Sequence, residues 1–322
     1  MRESEITRAA PLQHAEGDWS RRDFYADEGW SRRDLFQRAG LAAGLLAAPG
    51  LLAACGSSDN SGGGLLGQLQ NQGTITVGIA GEEPYAYLEG GELTGMDPSV
   101  QKKIWGNLGI DNVKAQQVGF DGLIPGLVAR RFDAVAAGMF IIPDRCKQVA
   151  FSDPMYCAPE AFLVPKGNPD NITDFKSVAD AGIKLGVEGG AVEGIYAEKN
   201  GVPSSDVVEM PSTRDALLQL EQGRIGAFGL TTITLKNILK NNPDSKVELT
   251  EPFTAEVDGK EQFGCGGAVF RKKDTDLRNA FNKELAKLKS SGELLKIIQP
   301  FGFGPETLPP KNLTTARLCK GA

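Results

Sequence analysis

The feature that most constrains this chain is a regular alternation of strand and helix signals over residues 74–301. Residues 74–80 read as a strand, and Asp97-Pro98 opens a helix on which Val100, Ile104 and Leu108 share a face. Residues 113–118 read as a second strand, 122–130 as a helix and 134–137 as a third strand. A second series begins at Asp174 with a helix, a strand over 184–187, a helix over 192–199 and a strand over 207–209. It continues with a helix capped by Ser212, with Asp215 in its first turn, a strand over 226–230 and a helix over 232–240. Strands near Val247 and over 263–270, then helices over 275–301, close the pattern. Alternation of this kind predicts an α/β fold of parallel sheets flanked by helices. The two series, joined at about residues 161–167 and 246–252, predict two lobes: 74–163 and 164–248, with 249–322 returning to the first.

The N-terminal part reads differently. Ser31-Arg32-Arg33-Asp34-Leu35-Phe36 is a twin-arginine pattern, followed by an Ala/Leu-rich segment over 39–54 that suits a signal-peptide core and is short for a membrane span. Leu52-Ala53-Ala54-Cys55 has the form of a lipobox, so Cys55 is the expected lipidation site and 1–54 the removed signal. Residues 55–73 are Gly/Ser/Asn-rich and predict a flexible tether between a lipid-anchored cysteine and the folded part. A second copy, Ser20-Arg21-Arg22, precedes charged residues and reads as bystander sequence.

Composition removes whole classes of function. The single histidine, His14, lies in the expected signal, so the mature chain lacks Ser-His-Asp and Cys-His catalysis and the common His-ligated metal sites. No C-x-x-C spacing suggests zinc; neither metal nor cofactor is expected. A net charge of −6 without a basic block argues against a nucleic-acid partner. Four cysteines beyond Cys55 remain: Cys146, Cys157, Cys265 and Cys319. They allow three disulfide connectivities, among them Cys146 with Cys157 closing a local loop and Cys265 with Cys319 pinning the tail; buried free thiols are the other possibility.

The stretch over 132–163 is the most telling. An apolar strand stops at Gly138, and Pro143 and Asp144 then open a helix, because Pro suits the first helical position. Arg145 therefore sits at a helix start beyond a strand end, where open α/β sheets bind small ligands, and its planar fork matches a carboxylate. With Cys146 to Tyr156 and Ala161-Phe162-Leu163, this stretch resembles the ligand-binding segment of polar-amino-acid solute-binding proteins of ABC importers. The resemblance runs from Gly73 to about Phe303. It implies a two-lobed type II periplasmic-binding-protein fold with the ligand in the inter-lobe cleft. It further implies a monomeric, exported receptor that serves a membrane ABC permease and performs no catalysis.

Within that frame the strand ends supply the candidate ligand residues. Glu82 and Tyr85 follow the first strand, with Pro84 holding the loop; a solvated carboxylate is the alternative for Glu82. Phe120 lies between the second strand and its helix, where an aromatic ring can stack on a cationic ligand or simply staple the helix. Phe140 follows Gly138. In the second lobe Gly189-Gly190-Ala191-Val192-Glu193 is a glycine turn into a helix start, whose backbone N–H groups suit a carboxylate. Amino-acid binders of the family usually carry Thr in that turn, where Ala191 and Val192 stand here. They also present an aspartate near the end of the strand over 226–230 to pair with the ligand ammonium; this chain has Leu230 and Thr231 there. A buried ammonium without a counter-charge is costly, so the positive charge must be met elsewhere or be more diffuse.

Glu82, the aromatic residues Tyr85, Phe120 and Phe140, the Ala191-Val192-Glu193 turn and Leu230-Thr231 together resemble the ectoine/hydroxyectoine-binding branch. That likeness implies a zwitterionic osmolyte ligand, with Arg145 on its carboxylate, Glu82 on its amidine and the aromatic rings around it. Two other readings remain open: a polar amino-acid binder, or an exported enzyme resembling cyclohexadienyl dehydratases with Glu193 as general acid.

Overall fold

Ile75, Val77 and Ile79 are fully buried on the strand Thr74–Ile79, and the sheet of the first lobe grows outward from it. The structure, a computed structural model, describes residues 64–321. The expected signal segment 1–54, the lipidation site Cys55 and the tether as far as residue 63 lie outside the described residues.

The first sheet runs in the order Asn112–Gln117, Thr74–Ile79, Ala134–Val135, Val269–Phe270, Ala150–Phe151. Helices Met96–Asn107, Thr275–Ser291 and Glu293–Ile298 cover one face through Val100, Ile104, Trp105, Phe281 and Ile298, all wholly buried. Helix Leu123–Val128 presses Leu123 and Leu127 into a separate cluster with Phe132, Val135 and Phe151. The second sheet runs Val207–Met210, Leu185–Glu188, Ala227–Thr231, Glu160–Pro165, Val247–Leu249.

Both sheets contain the expected parallel strands, and each also holds one reversed strand. Val269–Phe270 is antiparallel to both its neighbours in the first sheet, and Glu160–Pro165 is antiparallel to both of its own in the second. These are the strands through which the chain enters a lobe after crossing from the other. The crossing into the second lobe lies before Glu160, because Glu160–Pro165 belongs wholly to the second sheet; the boundary at residue 163 expected from the sequence falls several residues late.

Two further expectations need correction. The tether assigned to residues 55–73 ends in a helix, Leu65–Gln72, with Leu69 buried and the Leu66 N–H donating to Asp276 Oδ2 at 2.9 Å. Its leucines find a partner surface only in the folded protein, which the polar flanking composition conceals. The single strand expected over 263–270 is two: Cys265–Gly266 pairs with Tyr156–Cys157 at the hinge, and Val269–Phe270 joins the first sheet.

The cysteines pair as Cys146–Cys319 and Cys157–Cys265, neither of the two pairs named from sequence spacing. Cys157 and Cys265 are register partners in the antiparallel ladder between the outgoing and returning hinge segments, so this bond staples the two crossings together. Cys319 follows the helix Thr315–Leu318 and ties the C-terminal tail to the short helix Pro143–Cys146 that carries Arg145. Among the described residues no helix is long and apolar enough to cross a membrane.

Candidate functional site

The carboxyl ends of strands from both sheets converge on one cleft cavity, about 310 Å³ when the adjoining open solvent is counted. Glu82, Tyr85, Phe120, Phe140 and Arg145 line it from the first lobe. Val192, Glu193 and Thr231 line it from the second, so all eight residues named from the sequence meet there. Among the described residues no group of three His, Cys, Asp or Glu side chains is arranged to hold a metal.

Arg145 is placed by local sequence. Ile142 is extended, Pro143 begins the helix, and the guanidinium lands in the cleft at 7 % exposure. Nη1 donates to the Phe140 carbonyl and Nη2 to the Gly190 carbonyl, each at 3.0 Å, so Arg145 spans the two lobes. Gly190 has φ +76°, and a Cβ there would come within 2.9 Å of the Asp121 backbone; the lobes therefore close tightly at this point. The Phe120 ring lines the cavity, and the Arg145 guanidinium lies over it at 5.2 Å from its centroid. One cation over this ring thus comes from the protein itself, and the aromatic face helps to hold the arginine.

Glu82 and Tyr85 make further buried bonds across the cleft, while at its exposed edge Asn237 and Asn241 donate to Glu83. Thr234 Oγ1 donates to Glu82 Oε1 at 2.6 Å, and Tyr85 Oη donates to Thr231 Oγ1 at 3.1 Å. Tyr85 packs against Tyr156 and the edge of Phe303, forming a wall of the cavity. Behind it Gly138 has φ +58°, and a Cβ at that position would strike the Tyr85 ring. Asp97, in the first turn of its helix, fixes this loop by accepting from the Gly138 N–H at 2.9 Å, while Tyr156 Oη donates to the Gly138 carbonyl. Phe140 pairs with Gly266 and is packed by Tyr156.

The electrostatics are lopsided. Three carboxyl groups, Glu82, Glu188 and Glu193, line the cavity against one guanidinium. Burial, with the charges of Glu188 and Glu193, pushes Glu82 well above the ordinary carboxylate range against the opposing Thr234 bond. Burial and the Glu193 charge push Glu188 up to about 8, with Arg145 pulling the other way. Glu193 is raised by burial and held down by its own backbone N–H, by Glu160 and by Arg145. Such a cavity favours an occupant that brings positive charge.

Glu188, Tyr156 and Thr234 are functional candidates that the sequence reading passed over. Glu188 is the last residue of the strand Leu185–Glu188 and satisfies the same strand-end rule that found Arg145. Thr234 stands one helical turn beyond Thr231 on helix Thr232–Asn241, a spacing that puts both hydroxyls on the same face. Tyr156 carries no comparable local signal; only its packing brings it to the cavity.

The comparisons agree with this geometry. The family model described as "Bacterial extracellular solute-binding proteins, family 3" matches residues 75–305. The "Probable amino-acid ABC transporter periplasmic-binding protein y4tE" of Sinorhizobium fredii (strain NBRC 101917 / NGR234) is 35% identical over 270 residues, 82% of this chain and 88% of that protein. The crystal structure of EhuB in complex with hydroxyectoine superposes with a TM-score of 0.73 at 38% identity, covering 79% of this chain and 97% of that one. The ancestral amino acid-binding protein AncCDT-1, a precursor of cyclohexadienyl dehydratase, superposes with a TM-score of 0.64 at 27% identity, covering 73% and 98%.

Proposed function

This chain belongs to the bacterial extracellular solute-binding proteins, family 3, and is a solute-binding protein of an ABC importer; we propose that its solute is a small zwitterion with a delocalised positive charge, ectoine or hydroxyectoine. The observation that carries this reading is the pairing of Arg145 with an acidic wall in one cleft whose strand end bears Leu230 and Thr231. A compact cyclic amidine carboxylate matches it: its carboxylate meets Arg145, its amidinium meets Glu82, and Tyr85 and Phe140 flank the ring. Glu82 is strained toward neutrality by burial, and an amidinium beside it restores the charge partner that burial removed. The likeness to the hydroxyectoine complex supports this choice.

An amino-acid ligand is the second reading, favoured by Glu188, whose carboxyl lines the cavity and offers an anionic partner in the absence of the strand-end aspartate. A thermal-shift and calorimetric panel of ectoine, hydroxyectoine, betaines and amino acids separates the two. Ligand at one hundred times its dissociation constant adds about 2.7 kcal/mol of stability. Response to the amino acids alone refutes the osmolyte assignment. Ligand-driven closure, with no chemical step, is the proposed mechanism, and incubation with prephenate or arogenate is expected to give no turnover. The same proposal places the receptor, as a monomer, at the outer membrane face through a lipid on Cys55. A fatty-acid analogue is expected to label the wild type and not Cys55→Ala.

A further inference from the structure

Glu193, which lines the cavity, and Glu160 behind it are buried together, 2 % and 3 % exposed. Both carboxyl oxygens of Glu160 and Oε2 of Glu193 lack any N–H or O–H donor among the described residues, yet the two side chains lie within hydrogen-bonding reach of one another. Two ionised carboxylates in such a place would combine full desolvation with like-charge repulsion. A single proton between them removes both penalties and supplies the missing donor.

The surroundings decide which oxygen keeps it. Glu193 stands in the first turn of helix Val192–Lys199, where the helix dipole favours a negative charge, and the Arg145 guanidinium and its own backbone N–H stabilise it further. Glu160 has no such support; burial, Glu193 and Glu82 all disfavour its charge. Tyr85 and Tyr196 feel these carboxylates as well, and Glu188 faces Glu193 from the neighbouring strand end.

We propose that Glu160 is a positioning residue: it carries a proton and donates it to Glu193, which is thereby held in the cleft as an oriented carboxylate for the ligand. Its backbone makes the placement firm, because Glu160 exchanges both backbone hydrogen bonds with Phe253 at the hinge and pairs with Thr231 across the sheet. The proton thus sits where the hinge meets the binding helix. Deprotonation puts two anions in contact within the second lobe and drives the Glu193 carboxylate from its ligand-facing orientation, so affinity falls as pH rises. The proposal rests on the reading of Glu193 as a ligand contact.

The test compares wild type with Glu160→Gln, whose amide donates to Glu193 without ionising, and with Glu160→Leu, which cannot donate. Ectoine is titrated into each from neutral to alkaline pH. Glu82, Glu188 and the ligand are present in both proteins, so the ratio of the two affinities isolates what ionisation of Glu160 changes, its effect on the neighbouring Glu82 included. That ratio is expected to move by about tenfold against wild type at alkaline pH, the effect of one differential pKa unit. Glu160→Leu is expected to bind at least about tenfold more weakly than Glu160→Gln at neutral pH, one lost charge-assisted hydrogen bond. A constant ratio, or Leu binding as well as Gln, overturns the proposal. An infrared difference spectrum of unliganded wild type against Glu160→Gln at neutral pH is expected to show one protonated-carboxyl band, and its absence also overturns the proposal. If the wild type fails to bind ectoine, the ligand assignment falls while the difference spectrum still decides the proton.

Discussion

Thr234 Oγ1 donates to Glu82 Oε1 at 2.6 Å, joining a hydroxyl of the second lobe to a buried carboxyl of the first. The bond does two things at once. It latches the lobes on one side of the cleft, and it occupies one Glu82 oxygen so that the other is left for an occupant. Removing either partner therefore has a different signature. Glu82→Gln is expected to weaken ectoine by about 1.5–3 kcal/mol, the value of a hydrogen bond to a charged group, and to affect a neutral analogue less. Thr234→Val is expected to weaken both ligands alike, because it loosens the latch without changing the charge. Calorimetry on both ligands makes the comparison; equal losses in Glu82→Gln would count against charge pairing.

Arg145 bridges the lobes through the Phe140 and Gly190 carbonyls and rests on the Phe120 ring. Arg145→Ala is expected to cost about 3–5 kcal/mol of ectoine binding, since it leaves a buried carboxylate without its counter-charge. Arg145→Lys restores the charge but not the planar fork, and an intermediate loss is expected. Near-wild-type affinity in Arg145→Ala would return the arginine to a purely structural role.

Glu188 sets a pH dependence for the unliganded protein. Its folded value, about 8, lies above the ordinary 4.5, so the folded state binds the proton more tightly than the unfolded chain. The stability it contributes is fully present below pH 4.5 and is lost as pH rises through about 8. Glu82, Glu160 and Glu193 are shifted in the same direction and add to the slope. Urea midpoints are expected to fall over this window in wild type and to fall less in Glu188→Gln. Parallel curves for the two proteins would show that Glu188 is not the titrating group.

The Cys157–Cys265 bond staples the outgoing and returning hinge segments, and Cys146–Cys319 anchors the tail to the helix of Arg145. Replacing both cysteines of either pair by serine is expected to cost about 2–5 kcal/mol of stability. Only loss of Cys146–Cys319 is expected to disturb ectoine affinity as well, because it frees the helix that aims Arg145. Denaturant unfolding paired with calorimetry reads both quantities. Unchanged affinity with lowered stability would confine that bond to holding the tail.

What the sequence determined by itself is the set of features written into local pattern. Hydrophobic periodicity and caps located the strands and helices, as at Ser212 and its helix Thr213–Glu221. The strand-end rule led from there to Arg145, and the family resemblance added Glu82, Glu193 and Thr231 near other strand ends. Tertiary structure alone decided what depends on residues far apart in the chain. Cys157 meets Cys265 across 108 residues only because the hinge segments run side by side. Phe120 meets the Arg145 guanidinium only because packing within the first lobe puts them face to face. Glu160, at the start of an apolar strand, gives no local sign that it lies against Glu193, a neighbour it gains only in the folded second lobe. Local preference acts through neighbours in sequence, whereas charge, proton sharing and cross-linking act through space, and only the folding of each lobe and of the hinge brings those partners within reach.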